Sequence, residues 1–325
     1  WREPARGITP LPHTIAGTPL LLTTHAQGAG HRTQMTRVDG DAPLAVATWT
    51  EPDEAPWFSG AAADLDGDGA LELYVGTGPY RRRLSRYDHG PAGWTRVVAN
   101  LATDAVRSDL HTLAAGDLDD DGRPELVAAA GPWTAYDLRV LRARPGARPG
   151  VDDSLELVAR RSFGQIGAVM LPRRHGGRRI ALVKLDSDID PRRFSPEQPL
   201  GEPAGLYVVE LRGEALEVVE HVPTPPSWRS PRSYERVLTG DLDGDGVDEL
   251  VASLRDGAGM MLLRWHDERL LPPLVLTGLT PGLVLDLDGD GDAEIVAQDS
   301  HDRDRIIVFG AGDQRLAPLP GPAAA

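Results

Sequence analysis

The stretch ADLDGDGALELYVG, residues 63–76, sets aspartates at Asp64, Asp66 and Asp68, a glycine at Gly69 and a glutamate at Glu72 directly ahead of an apolar, β-favouring run. Four carboxylates within nine residues repel one another unless a cation joins them. Calcium takes about six to eight oxygen ligands at roughly 2.3–2.6 Å in tolerant geometry. Alternate aspartates on a tight loop aim at one centre, and Gly69 permits the bend that wraps the chain around it. Asp64, Asp66, Asp68, Glu72 and the backbone carbonyl of Ala70 complete such a shell if one carboxylate is bidentate or a water joins. The segment is therefore predicted to be a loop closed by a metal that leads straight into a strand.

The pattern recurs. DLDGDGALE begins at Asp64, DLDDDGRPE at Asp117, DLDGDGVDE at Asp241 and DLDGDGDAE at Asp286. Each copy follows small or apolar residues and precedes a short apolar run (LYVG, LVAAAG, LVASL, IVAQ), so each is predicted to join two short strands. The first aspartates stand 53, 124 and 45 residues apart. The long gap holds a worn copy at GAVMLPRRHGGRRIALVKL, residues 167–185, with Leu171 in the first aspartate position, Gly176 at the glycine and Ile180 at the strand start. A further worn copy, HTIAGTPLLLTT, occupies residues 13–24. Six units of about 54 residues follow, a period typical of radial β-propellers with about four strands per unit. The expected fold class is all-β, a β-propeller of six (alternatively seven) four-stranded blades. Residues 1–317 are expected to form that single domain, and residues 318–325, PLPGPAAA, a linker tail.

Composition agrees with this reading. Of 325 residues, 41% are hydrophobic, and 36 glycines and 28 prolines supply turns. There are no cysteines, which excludes disulfide and thiolate chemistry. No apolar run approaches the length that spans a bilayer, so direct membrane insertion is not expected. The formal net charge of −15 disfavours nucleic acid as a partner. Much of that acidity sits in the four loops, and four calcium ions would add +8, leaving −7. The chain opens at Trp1 without Met, and it is expected to be a piece of a longer protein with other domains.

An EF-hand also begins D-x-D-x-D-G, but it needs a glutamate at loop position 12 and flanking helices. Position 12 here is Val75, Ala128, Ala252 or Ala297, and the acid stands at position 9. With strands as flanks, the chain instead resembles the FG-GAP, or VCBS, repeats found in the propeller of integrin α subunits and in many bacterial surface proteins. That resemblance implies that each D-x-D-x-D-G-x-x-[DE] loop joins the first and second strands of a blade and binds calcium. By position, the implied ligands are Asp64, Asp66, Asp68 and Glu72; Asp117, Asp119, Asp121 and Glu125; Asp241, Asp243, Asp245 and Glu249; and Asp286, Asp288, Asp290 and Glu294. The carbonyls at position 7 belong to Ala70, Arg123, Val247 and Asp292. About four calcium sites are expected. The fourth unit departs, with Arg173, His175 and Arg179 where acids would stand, so no calcium is expected there. Dissociation constants of about 0.1–1 mM are common for calcium modules outside cells. Such sites would be empty in a cytosol, which points to an extracellular, cell-surface or periplasmic location.

In the resembling family the loops opposite the calcium turns form the recognition face. Here those loops carry Trp57, Tyr80, Arg82, Trp133, Trp228 and Arg232. Aromatic and arginine side chains on one rim suit a glycan or protein ligand, and a basic rim suits an anionic one. Six residues ahead of the second loop lies His111, expected at a channel mouth where a second acid-base residue, Glu235, would also stand. The leading reading is a non-catalytic binding or sensor module. The alternative is a carbohydrate-active propeller enzyme of the polysaccharide-lyase or sugar-dehydratase kind. The sequence contains no G-x-S-x-G, no H-E-x-x-H and no phosphate loop.

Overall fold

The computed structural model describes residues 7–15, 18–27, 30–39, 42–51, 58–77, 84–90, 93–98, 110–130, 136–144, 155–185, 202–223, 236–253, 259–266, 268–302 and 304–310. Among them every regular element is a strand, and no helix is long and apolar enough to cross a membrane.

The strands form successive antiparallel meanders. The first sheet is β1 (Gly7–Ile15), β2 (Thr18–Gln27), β3 (Gly30–Asp39) and β4 (Ala42–Glu51), in that order. The second is β5 (Phe58–Ala63), β6 (Glu72–Thr77), β7 (Leu84–Gly90) and β8 (Gly93–Val98). The third is β9 (Leu110–Gly116), β10 (Glu125–Ala130), β11 (Asp137–Ala143) and β12 (Leu155–Ser162). The fourth sheet runs β13 (Ile166–Met170), β16 (Ile180–Lys184), β17 (Gly205–Arg212) and β18 (Ala215–Pro223). A two-stranded ribbon, β14 (Arg173–Arg174) with β15 (Gly177–Arg178), is set into its first loop. The fifth has β19 (Val237–Gly240), β20 (Glu249–Ser253), β21 (Gly259–Leu263) and β24 (Leu274–Thr277), with a ribbon of β22 (Trp265–His266) and β23 (Arg269–Leu270) before its last strand. The sixth has three strands among the described residues, β25 (Leu279–Leu285), β26 (Glu294–Asp299) and β27 (Ile306–Phe309). Residues 311–325, where the last strand of a four-stranded unit would fall, lie outside the described residues.

Burial explains why these segments read as short apolar runs. The second strands β10, β16 and β20 are buried along their whole length, so apolar residues stand on both faces and no alternation appears, the buried polar residues Glu125, Lys184, Glu249 and Ser253 standing only at strand ends. The fourth strand β24 alternates between half-covered and exposed residues, as strands with one covered face do, and β12 mixes buried, half-buried and exposed residues.

The chain divides into two compact units. One comprises Trp1–Ile166, Asp188–Glu202 and Arg212–Leu216; the other comprises Gly167–Ser187, Pro203–Leu211 and Glu217–Ala325. In the first, Ala61, Ala63, Tyr74, Leu110, Leu113, Leu126 and Ala128 knit the second sheet to the third. In the second, Ala181, Val183, Val208, Leu250, Ala252 and Met261 join the fourth sheet to the fifth. Leu238, Leu242, Met260, Ile295 and Phe309 join the fifth to the sixth.

Close approach of neighbouring strands fixes Gly205 by space alone. A Cβ at Gly205 on β17 would meet His221 Nε2 at 2.5 Å and the Val222 carbonyl oxygen at 2.6 Å. His221 is itself stacked on Tyr207, with ring centroids 4.2 Å apart, and cannot retreat freely. Gly205→Ala is expected to cost about 1–3 kcal/mol, read as a lower urea midpoint with an unchanged slope.

Candidate metal centres

All four loops close through the same strand pair. The residue just before the first aspartate pairs with the position-9 glutamate: Ala63 with Glu72, Gly116 with Glu125, Gly240 with Glu249 and Leu285 with Glu294. The glutamate therefore begins the second strand, and its side chain turns back under the loop. Its Oε2 accepts a hydrogen bond from the backbone N–H at position 2, from Leu65 (3.0 Å), Leu118 (3.0 Å), Leu242 (2.8 Å) and Leu287 (2.8 Å).

The first aspartate closes the other side. Asp64 accepts from the N–H groups of Gly67, Asp68 and Gly69 at 2.8, 3.1 and 2.8 Å. Asp241 does the same for Gly244, Asp245 and Gly246. Asp117 accepts from Asp121 and Gly122, and Asp286 from Gly289 and Gly291. This wrap needs left-handed backbone at two positions. Position 6 is the glycine read from the sequence, at φ +87° for Gly69 and +84° for Gly122. Position 4 is left-handed as well and is glycine in three loops; in the second it is Asp120, at φ 59°, a residue type that tolerates this region.

Carboxylate oxygens converge in each loop. One oxygen each from Asp64, Asp66, Asp68 and Glu72 lie within 4.8 Å of one another, as do oxygens of Asp117, Asp119 and Glu125, of Asp241, Asp243 and Glu249, and of Asp286, Asp288 and Asp290. Asp121, Asp245 and Glu294 stand outside these groups, although each belongs to its loop's pattern. Oxygens bound to one calcium at about 2.3–2.6 Å cannot be more than roughly 5 Å apart, so the spacing fits one ion per loop, and an all-oxygen set suits a hard cation. Ala70, Arg123, Val247 and Asp292 occupy position 7, where their carbonyls are candidate further ligands.

Electrostatics separate the loops. Glu72, Glu125 and Glu249 are 2%, 0% and 2% exposed, so burial opposes ionisation of all three. Burial pushes Glu72 up to about 7, although Arg86 beside it pulls the other way. Glu249 is pushed up to about 8 by burial, with Asp243, Asp245 and Asp241 adding to the effect. Glu125 is raised by burial and restrained by the Leu118 N–H and Arg142, and Glu294 is raised by burial with Asp288 and Asp290 adding.

The third and fourth loops also touch. Ala293 N–H donates to the Asp241 carbonyl at 2.6 Å, and the Asp292 carboxylate lies so close to Gly244 that a Cβ there would collide with it. Burial and then its neighbours Asp290, Asp241 and Asp243 raise the Asp292 pKa.

In the fourth sheet the basic residues find acids elsewhere. Arg179 Nε donates to Glu210 Oε1 at 2.9 Å, its Nη2 bonds the Glu268 carboxylate, and its guanidinium lies 4.6 Å over Trp265. Arg173 N–H donates to Asp248 Oδ2 at 2.8 Å.

Sequence reasoning missed Arg86 and Arg142, which reach into the first two loops from the third strands of their sheets. Of the recognition residues expected on the opposite loops, Trp57, Tyr80, Arg82, Trp133, Trp228 and Arg232 lie outside the described residues, as does Glu235. His111 lies on β9, but its side chain is not among those described.

Residues 64–128, spanning the first two loops, match the FG-GAP-like repeat family. No curated protein matches the chain in sequence. Among solved structures, the Dos1 propeller aligns at TM-score 0.53 and 9% identity, covering 94% of this chain and 68% of that one. The Cps50 (Swd1) β-propeller domain of Myceliophteria thermophila aligns at TM-score 0.51 and 12% identity, covering 90% and 79%. A candidate 6-phosphogluconolactonase from Bacteroides uniformis aligns at TM-score 0.54 and 13% identity, covering 90% and 77%. At these identities the likeness is one of fold. The chain is an all-β protein with the β-propeller fold that carries an FG-GAP-like repeat.

Proposed function

We propose that the protein is a calcium-stabilised propeller of six blades that serves outside the cytosol as a binding module for a glycan or protein ligand. The observation that supports the calcium reading is the fourfold recurrence of one loop geometry, each with three or four acidic oxygens within 4.8 Å of one another. Glu249, 2% exposed at the base of its loop and without an ion pair among the described residues, gains a close counter-charge when a cation is present. The position of Asp64, Asp66 and Asp68 ahead of Glu72 then has a single purpose, repeated at the other three loops. Millimolar calcium outside cells would fill sites of ordinary extracellular affinity, and submicromolar calcium would leave them vacant.

Recognition is assigned to the loops opposite the calcium turns, where Trp57, Tyr80, Arg82, Trp133, Trp228 and Arg232 offer aromatic and cationic contacts to an anionic ligand. Isothermal calorimetry should give about four calcium ions per chain, and Asp241→Ala should remove one of them. A glycan array run with and without calcium then tests the recognition reading. Binding of acidic sugars that weakens on chelation supports it, and catalytic turnover of a uronate polymer overturns it in favour of an enzyme.

A further inference from the structure

The residue that stands across the sheet from position 9 differs from loop to loop, and the series has a consequence for metal binding. In the third sheet Leu126 pairs with Leu141, which sets Arg142 opposite Glu125. Arg142 Nε donates to Glu125 Oε1 at 2.7 Å and Nη2 to Asp119 Oδ2 at 3.0 Å. In the second sheet Leu73 pairs with Tyr87, so Asp88 stands opposite Glu72, and Arg86 does the same from two residues earlier on the same strand. Its Nη2 lies 2.9 Å from Asp66 Oδ2 and 3.7 Å from Glu72 Oε1, while Nε is anchored on Asp88 Oδ1 at 2.6 Å. In both loops one guanidinium spans the carboxylates of positions 3 and 9, which are two of the groups expected to hold the ion.

The later loops lack this device. In the fifth sheet Leu250 pairs with Leu263, so Arg264 stands opposite Glu249. Among the described residues Arg264 makes no ion pair to Glu249 or Asp243, although its charge favours the ionised Asp243 from a distance, and its Nε is buried without a hydrogen-bond partner. In the sixth sheet Ile295 pairs with Phe309 and the place falls to Gly310, which has no side chain to offer Glu294. The Asp292 carboxylate lies against Gly244 and sets a further acidic group between these two loops. The fourth sheet inverts the pair: Arg179 holds position 9 and Glu210 stands opposite at 2.9 Å.

We infer that Arg86 and Arg142 are resident counter-ions that compete with calcium for Asp66 with Glu72 and for Asp119 with Glu125, so the loops at 241–249 and 286–294 fill first and alone depend on the ion to stay closed. This inference rests on the calcium reading above. A divalent ion entering either of the first two loops must displace a hydrogen-bonded guanidinium from two of its ligands and then bear its repulsion. Breaking a charge-assisted contact of that kind weakens the first two sites by roughly ten- to hundredfold relative to the last two.

The test is a calcium titration by calorimetry joined to hydrogen exchange on the full chain, with calcium or with EGTA. The expected result is two tight and two weak sites. On chelation, peptides covering 241–249 and 286–294 should exchange at least about tenfold faster, while those covering 64–72 and 117–125 change less than about twofold. Arg142→Gln should tighten the site at 117–125 by tenfold or more and make that segment sensitive to EGTA, and Arg86→Gln should do so for 64–72. Four equivalent sites, or equal loss of protection in all four loops, overturns the inference while the calcium reading stands. No calcium heat at any loop overturns both. The exchange pattern of the unaltered protein decides the matter even where a variant does not fold.

Discussion

Chelating calcium is expected to lower the melting temperature of the protein by roughly 5–15 °C above pH 8, and by much less at pH 5.5. At millimolar calcium, sites with dissociation constants of about 0.1–1 mM each contribute about 0.4–1.4 kcal/mol. Four such sites total at most about 6 kcal/mol, less where Arg86 and Arg142 weaken the first two, and each kcal/mol moves the midpoint of a large domain by about 2–4 °C. The pH dependence follows from the buried glutamates. Without metal, burial holds Glu249 at about 8 and Glu72 at about 7 in the folded chain, against 4.5 for an ordinary glutamate. The calcium-free folded state therefore binds more protons than the unfolded state between pH 4.5 and about 8, and its stability falls as pH rises through that window. Calcium requires the same carboxylates ionised, so the ion's contribution grows over the window in which the free protein weakens. The gap between melting curves in 1 mM calcium and in EDTA is thus expected to open from pH 5.5 to pH 8.5. Superimposable curves at pH 8.5 would falsify the calcium reading.

The sheets and loops were legible because one nine-residue pattern carries several independent demands at once. The alternating aspartates, the glycine and the glutamate at the head of an apolar run each fix a backbone position, and four copies fix the period. Glu72, Glu125, Glu249 and Glu294 all begin second strands, as the pattern requires. The arginines that reach into the loops carry no such signal. Arg86 follows Glu72 by 14 residues and Arg142 follows Glu125 by 17, because the second hairpin is one residue longer and Arg86 stands two residues before the position opposite Glu72. Their roles depend on cross-strand register, which appears only once the strands are paired. The left-handed backbone at position 4 was signalled by glycine in three loops, but Asp120 breaks that pattern while keeping the conformation. Arg179 was visible as a base in an acid's place. Its partners were not, since Glu210 is 31 residues away and Glu268 is 89.

Replacing that arginine is the substitution with the largest expected cost. Arg179 is 5% exposed and holds Glu210, itself 9% exposed, at 2.9 Å while lying over the Trp265 ring. Trp265 in turn donates its indole N–H to the Asp248 carbonyl at 2.9 Å, and Asp248 receives Arg173, so one guanidinium braces the ribbon of the fourth sheet against the fifth. Arg179→Met keeps most of the volume but takes from Glu210 its 2.9 Å charged partner, with Arg174 standing farther off at 3.7 Å. Removing one partner of a buried pair costs about 3–5 kcal/mol, because the remaining charge is desolvated without compensation. The expected fall in melting temperature is about 6–15 °C. Glu268→Gln, whose side chain is 54% exposed, should cost under about 1 kcal/mol, as exposed ion pairs do. Arg179→Met combined with Glu210→Leu should recover most of the loss, since no charge is then stranded. The loss should also be equal in calcium and in EDTA, because this loop is closed by an arginine where the others have a glutamate. A cost below about 1 kcal/mol for Arg179→Met, or a cost that vanishes on chelation, would show that the ion pair does not hold the loop.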